Sequence, residues 1–209
     1  MEWTFEKTIT TEKELRDIMG YPTEIVTRKT IKHIDEHCKS FIENSPFIAI
    51  ATSDASGNLD VSPKGDPTGF VKILSDKVLA IPDRPGNRKA DTLSNIIQNP
   101  NIGLIFFIPG IRETLRVNGA AQIVTDSRVL ELLSCQGKAP SIAIIVTVKE
   151  AFMHCAKCII RSNLWTKVDD QQERTIPSLG RVLVDHGKLD ITYQELDDMI
   201  KDDERTNLY

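Results

Sequence analysis

Residues 47–62 read Phe-Ile-Ala-Ile-Ala-Thr-Ser-Asp-Ala-Ser-Gly-Asn-Leu-Asp-Val-Ser, and their reading decides the fold class. Phe47–Thr52 is a short apolar run. Asp54–Asn58 supplies turn chemistry, and Leu59–Ser62 alternates as a returning strand does, so the stretch reads as a β-hairpin. Downstream, Phe70–Leu74 and Lys77–Ile81 form a second pair around Ser75-Asp76. Ile102–Ile108 (IGLIFFI) is continuously apolar, which suits a strand buried on both faces. Glu113–Val124 returns after a turn at Pro109-Gly110, and Ile142–Val148 (IAIIVTV) is a further buried strand. About six strands joined mainly by short turns favour a mainly β (α+β) architecture, an antiparallel barrel with peripheral helices, over a doubly wound parallel sheet.

Helices fill the ends and the gaps. Thr11-x-x-Glu14 and Thr192-x-x-Glu195 are capping boxes, one opening a short helix that ends near Gly20 and the other a C-terminal helix. Thr30–Asn44 carries apolar residues at helical spacing and closes before Pro46. Helices are also expected over Arg88–Gln98, from Asp126 through Cys135, and over Lys149–Arg161.

The chain has 209 residues and a net charge of −4, which suits one domain of ordinary globular composition. Without a basic tail it is a poor candidate for nucleic-acid binding. It has no apolar run of about 18 residues, so no membrane span is expected. The N-terminus lacks the basic and apolar regions of a signal peptide, so a cytoplasmic location is expected, in which the four cysteines stay reduced. No phosphate-binding Walker loop, nucleophile elbow, His-Glu-x-x-His or dinucleotide fingerprint is present.

Four segments could carry chemistry. Ile81–Lys89 joins a strand to a helix start, where exposed N–H groups attract anions and Arg88-Lys89 add charge; a bound phosphate or a solvated basic turn accounts for it equally well. Ser62-Pro63-Lys64-Gly65-Asp66 ends a strand. Its hydroxyl, lysine and backbone donors suit a phosphate or a polar ring edge, and they also suit any turn. Thr114, Arg116 and Asn118 share one strand face opposite Leu115 and Val117, and that face either meets water or lines a site. His154, Lys157 and Arg161 stand at i, i+3 and i+7, a cationic stripe on a helix, free or facing an anion. The Cys155–Cys158 spacing falls inside that same helix with no further ligands in register, so the cysteines read as small helix residues and no metal is expected.

In this order the segments resemble the pyridoxamine 5′-phosphate oxidase-related, FMN-binding split-barrel family. The resemblance runs from Ser62–Asp66 through Ile81–Lys89, Asn95–Pro100 and Glu113–Gly119 to His154–Lys157 and Arg161–Trp165, and spans roughly residues 30–180. It implies a six-stranded antiparallel split barrel with FMN in the cleft of a homodimer. Residues 1–29 would be an N-terminal helical extension and 181–209 a C-terminal segment with a helix packed on the same domain. Arg88 and Lys89 match the family's clamp for the FMN phosphate, preceded by Asn87. Ile81-Pro82-Asp83 would border the flavin ring, with Ser62, Pro63 and Lys64 on the neighbouring strand. Here Ser62 replaces the family's first arginine, and Thr114 stands where the oxidases carry a flavin-contacting glutamine. Trp165, or the cationic face of Lys157 and Arg161, would come from the partner chain. His154 is the first candidate for proton transfer or substrate anchoring. The pyridoxal-phosphate segment of the oxidases is not recognisable in Ile176–Tyr209. The resemblance therefore implies an FMN-dependent oxidoreductase acting on a small molecule that it does not identify, with little sign of vitamin B6 oxidation, or else a flavin store, sensor or electron relay.

Overall fold

The computed structural model describes residues 3–166 and 176–207. Three short helices come first: α1 (Glu12–Met19), α2 (Glu24–Arg28) and α3 (Glu36–Glu43). A sheet follows, built from β1 (Phe47–Ser53), β2 (Leu59–Gly65), β3 (Lys72–Ser75), β4 (Val78–Asp83), β5 (Asn101–Phe107), β6 (Thr114–Val124) and β7 (Ile142–His154). Helix α4 (Asp91–Gln98) lies between β4 and β5, and α5 (Ser127–Leu132) between β6 and β7. The chain ends with α6 (Lys157–Ser162), α7 (Leu179–Gly187) and α8 (Tyr193–Thr206). Among the described residues, no helix is long and apolar enough to cross a membrane.

Every strand pair is antiparallel and the order is β2-β1-β5-β6-β7-β4-β3. The fold is the mainly β architecture with peripheral helices expected from the strand pattern. Among the described residues the sheet has seven strands instead of six, and it is not closed, because its two edge strands, β2 and β3, do not pair with each other. Strand alternation builds the core: Ile48 and Ile50, Leu104 and Phe106, Leu115 and Val117, and Ile144 and Val146 all point to one side. Phe41, Ile42 and Cys38 of α3 and Ile96 of α4 cover them. On the opposite side of β4 and β7, Ala80, Ala143 and Ile145 meet Leu133 just after α5.

Four expectations need correction. The Thr30–Asn44 helix begins only at Glu36, because Asp35 caps it by accepting the Cys38 N–H at 2.8 Å, while Ile31 pairs with Ala151 as a single bridge. The helix expected from Lys149 is strand: β6 is eleven residues long and pairs with β7 out to Thr114↔His154. His154 is thus the last residue of a strand, Cys155 precedes α6, and only Lys157 and Arg161 of the stripe share a helix. Ile102–Ile108 is not buried on both faces; Ile102, Leu104 and Phe106 are buried, and Gly103, Ile105 and Phe107 are half-exposed. Finally, α4 starts at Asp91, so Arg88 and Lys89 belong to the loop before it.

The capping boxes form at both sites, with Thr11 and Thr192 accepting from the N–H groups of Glu14 and Glu195. Helices α7 and α8 pack on each other where Gly180 leaves room: its N–H donates to Asp197 Oδ1 at 2.9 Å, an atom only 2.5 Å from where a Cβ would stand.

Candidate functional site

The open sheet leaves a seam between the end of β2 and the end of β4, and two ion pairs cross it. Lys64 Nζ meets Asp83 Oδ1 at 2.7 Å, and Arg84 Nε meets Asp66 Oδ2 at 2.7 Å. Beside them lies a cleft of about 370 Å³. Its walls are Ser62 and Lys64 of β2, the 83–90 loop, the first turn of α4, and residues 138–142 just before β7.

Side-chain hydrogen bonds fix the walls. Asp60 Oδ2 accepts from Ser62 Oγ at 3.0 Å and from Thr92 Oγ1 at 2.9 Å, which joins β2 to the start of α4. Asn95 and Asn99 donate to Thr52 Oγ1 and Ser53 Oγ, so α4 is fastened to β1. In the loop, Asn87 Oδ1 accepts the Lys89 N–H at 3.0 Å. Arg88 and Ala90 both have φ of 60°, a left-handed conformation uncommon outside glycine.

The loop's electrostatics favour an anion. Lys89 Nζ pairs with Asp91 Oδ2 at 2.7 Å, and this hydrogen bond raises the lysine above its usual range. Among the described residues Arg88 makes no ion pair and its side chain is exposed at the rim. Helix α4 has Ala90 at its N-cap and no side-chain cap, whereas Thr11, Asp35, Asp126, Ser178 and Thr192 cap five other helices. The first N–H groups of α4 thus lack the acceptor that a capping side chain supplies. Uncapped N–H groups, a free guanidinium and an ammonium together suit a ligand with several anionic oxygens.

Of the residues expected at a site, Ser62, Lys64, Asp83, Asn87, Arg88 and Lys89 meet at this cleft. Pro63 does not: it is exposed on the other face of β2 from its two neighbours. Ile81 and Pro82 are buried in β4, paired with Ile144 and Ala143. Thr114, His154, Lys157, Arg161 and Trp165 do not line the cleft. Thr114 pairs with His154 at the other end of β6, and Trp165 Nε1 donates to the Ile111 carbonyl at 2.6 Å. The Thr114 hydroxyl is buried and has no hydrogen-bond partner among the described residues.

Sequence reasoning missed Arg84, Thr92, Lys138 and Ser141 as lining residues. Arg84 stood within the Asp83–Lys89 segment, and Thr92 one place into the helix. No local signal could have brought residues 138–142 to a loop some fifty positions earlier.

Comparison with known proteins bears on this geometry. The family model described as pyridoxamine 5′-phosphate oxidase matches residues 34–155, more than half of the chain. No curated protein matches it. Among solved structures the chain is similar to HupZ of Group A Streptococcus, at 22% identity over 57% of this chain and 93% of that one, with a TM-score of 0.48. It is also similar to an FMN-binding protein of Syntrophomonas wolfei subsp. wolfei, at 13% identity over 68% and 96% of the two chains, with a TM-score of 0.47. A third is the general stress protein 26 of Bacillus anthracis, at 15% identity over 55% and 88%, with a TM-score of 0.43.

Proposed function

Since the chain belongs to the pyridoxamine 5′-phosphate oxidase family, we propose that it is a cytoplasmic, FMN-dependent oxidoreductase acting on a small molecule, with the phosphate of FMN held at the cleft between β2, β4 and α4. The observation that carries this reading is the unpaired Arg88 beside Lys89 at the uncapped start of α4. A phosphate monoester matches that donor set in charge and in number of acceptor oxygens.

Bound FMN would supply the electron or hydride transfer, and the protein's part is binding, orientation and access. Arg88 and the α4 N–H groups would hold the phosphate, with Lys89 turning from Asp91 to share it. Lys64 is fixed by Asp83 inside the cleft, so its ammonium remains for a polar edge of the ring. Ser62 donates its proton to Asp60, which leaves its oxygen as an acceptor towards the ligand.

The proposal includes a homodimer with FMN between the subunits. Its support is the outer face of β2, β1 and β5, where Leu59, Val61, Phe47, Ile105 and Phe107 form an apolar surface that no other described residues cover in a single chain. In such a dimer, Thr114, His154, Lys157, Arg161 and Trp165 belong to a second group of residues that one chain does not bring to its own cleft.

A second reading, a flavin store or electron relay without turnover, is favoured by one observation. The titratable groups lining the cleft are lysines, arginines and aspartates, while His154 lies elsewhere. Spectra of the purified protein, with mass identification of the ligand released on denaturation, test the first claim; a colourless protein that takes up no FMN refutes it. Anaerobic bleaching by NADH or NADPH separates the two readings. Sedimentation tests the dimer, and a monomeric mass with FMN bound refutes that part.

A further inference from the structure

The Asp66–Arg84 pair has no part in the function above. Arg84 is the first residue after β4. Its Nε donates to Asp66 Oδ2 at 2.7 Å, and its Nη2 donates to the Leu133 carbonyl at 2.8 Å. The two side chains are 15% and 2% exposed. Asp66 directly follows β2 and Leu133 directly follows α5, so one guanidinium ties three remote stretches of chain together across the seam. A buried ion pair is poor evidence of stabilisation, because desolvating both charges offsets their attraction. The location of this pair points to a different role.

Arg84 leads straight into the segment that carries Arg88. Pro85, Gly86 and Asn87 are exposed, and beyond them Arg88 and Ala90 hold left-handed conformations. Non-glycine residues stay there only where the surrounding structure over-determines them. At its far end the segment is held by α4, which Asn95 and Asn99 anchor to β1. At its near end the anchor is the Arg84 side chain. Lys64–Asp83 lies one residue before it and crosses the same seam.

We propose that the Asp66–Arg84 pair is a latch that positions the 85–90 segment, so that Arg88 and the start of α4 are set for an anion before any ligand arrives. Arg84 is then a positioning residue, acting through the loop and not by touching the ligand. The inference rests on the reading of the cleft as the FMN phosphate site. Preorganisation of this kind lowers the ordering cost of binding, so its loss falls on the phosphate and not on the rest of the ligand.

The test is the double variant Asp66→Leu/Arg84→Met, which removes both charges of the pair together, so that neither is left facing the other's absence. Full-length protein is stripped of flavin and titrated with FMN and with riboflavin, and amide hydrogen exchange is followed on the ligand-free form. The expected result is a loss of FMN affinity of roughly tenfold or more, a much smaller loss for riboflavin, and faster exchange confined to residues 85–92. Unchanged exchange with weakened FMN binding means that Arg84 touches the phosphate directly and overturns the latch. Equal losses for both ligands also overturn it. If the wild-type protein itself takes up no FMN, the functional reading fails and the inference with it. Should the double variant not fold, Arg84→Lys carries the same test. It keeps a charge for Asp66 but has no planar fork to reach Leu133 as well, and the same outcomes decide.

Discussion

Arg88→Ala is the sharpest probe of the cleft. Arg88 makes no ion pair among the described residues and its side chain is exposed, so truncating it leaves no buried charge behind. Stability should therefore change by no more than about 0.5 kcal/mol. Binding should respond differently. A charge-assisted hydrogen bond to phosphate is worth about 1.5–3 kcal/mol, and tenfold in affinity corresponds to about 1.4 kcal/mol. Loss of one such bond weakens FMN roughly tenfold to a hundredfold. Riboflavin, which has no phosphate, should bind nearly as well as to the wild type. The assay is quenching of flavin fluorescence on titration into flavin-free protein, with thermal melts alongside. Equal losses for the two flavins, or no loss for either, would refute the argument and move the phosphate away from the start of α4.

Other positions give independent checks. The Cys38 N–H donated to Asp35 holds this carboxyl below its usual range. The resulting stability is complete above the ordinary carboxylate range and is lost as pH falls through the depressed value. Asp35→Ala should cost about 1 kcal/mol at neutral pH, and urea unfolding of variant and wild type should converge in acid. Burial pushes the Cys38 thiol up to about 12, while Cys155 and Cys158 are exposed. Alkylation of the native protein at mildly alkaline pH should mark the latter two and spare Cys38, as peptide mass mapping will show. A Cβ on Gly119 would stand 2.3 Å from the Thr147 carbonyl oxygen and 3.0 Å from Val146 Cγ1, at the register shift between β6 and β7. Gly119→Ala should cost about 1–3 kcal/mol in chemical denaturation; an unchanged midpoint would show that the two strands can separate there.

Much of the fold was legible because it is encoded locally. Asp54 shows this: its carboxylate accepts the N–H groups of Ser56 and Asn58, and the hairpin it turns is the one read from 47–62. Both capping boxes are likewise complete within four residues. Lys149–His154 misled because Lys, Glu, Ala and Met favour helices. Pairing with the long β6 overrides that preference, as tertiary context does for strands generally. That the 83–90 loop borders the cleft could be read from its charge beside a helix start, yet Pro63 should have been set apart from Ser62 and Lys64 by the two-residue period of a strand. The Arg84–Asp66 pair and the 138–142 wall were not legible, since both depend on β2, β4 and β7 being brought together.

The strand order also fixes when the cleft can come into existence. Hairpins β1–β2 and β3–β4 need only neighbouring residues, but Asp83 pairs with Ile142, about sixty residues further on. During synthesis, β4 must therefore wait with its inner edge unpaired until the last strand has left the ribosome. Non-local pairing of this kind is slow, because chain-closure entropy is lost before contacts compensate for it. One wall of the cleft precedes β7 directly and another follows β4 directly. A nascent chain that ends before Ile142 has neither its completed sheet nor its complete cleft, and formation of the cleft belongs to the end of folding.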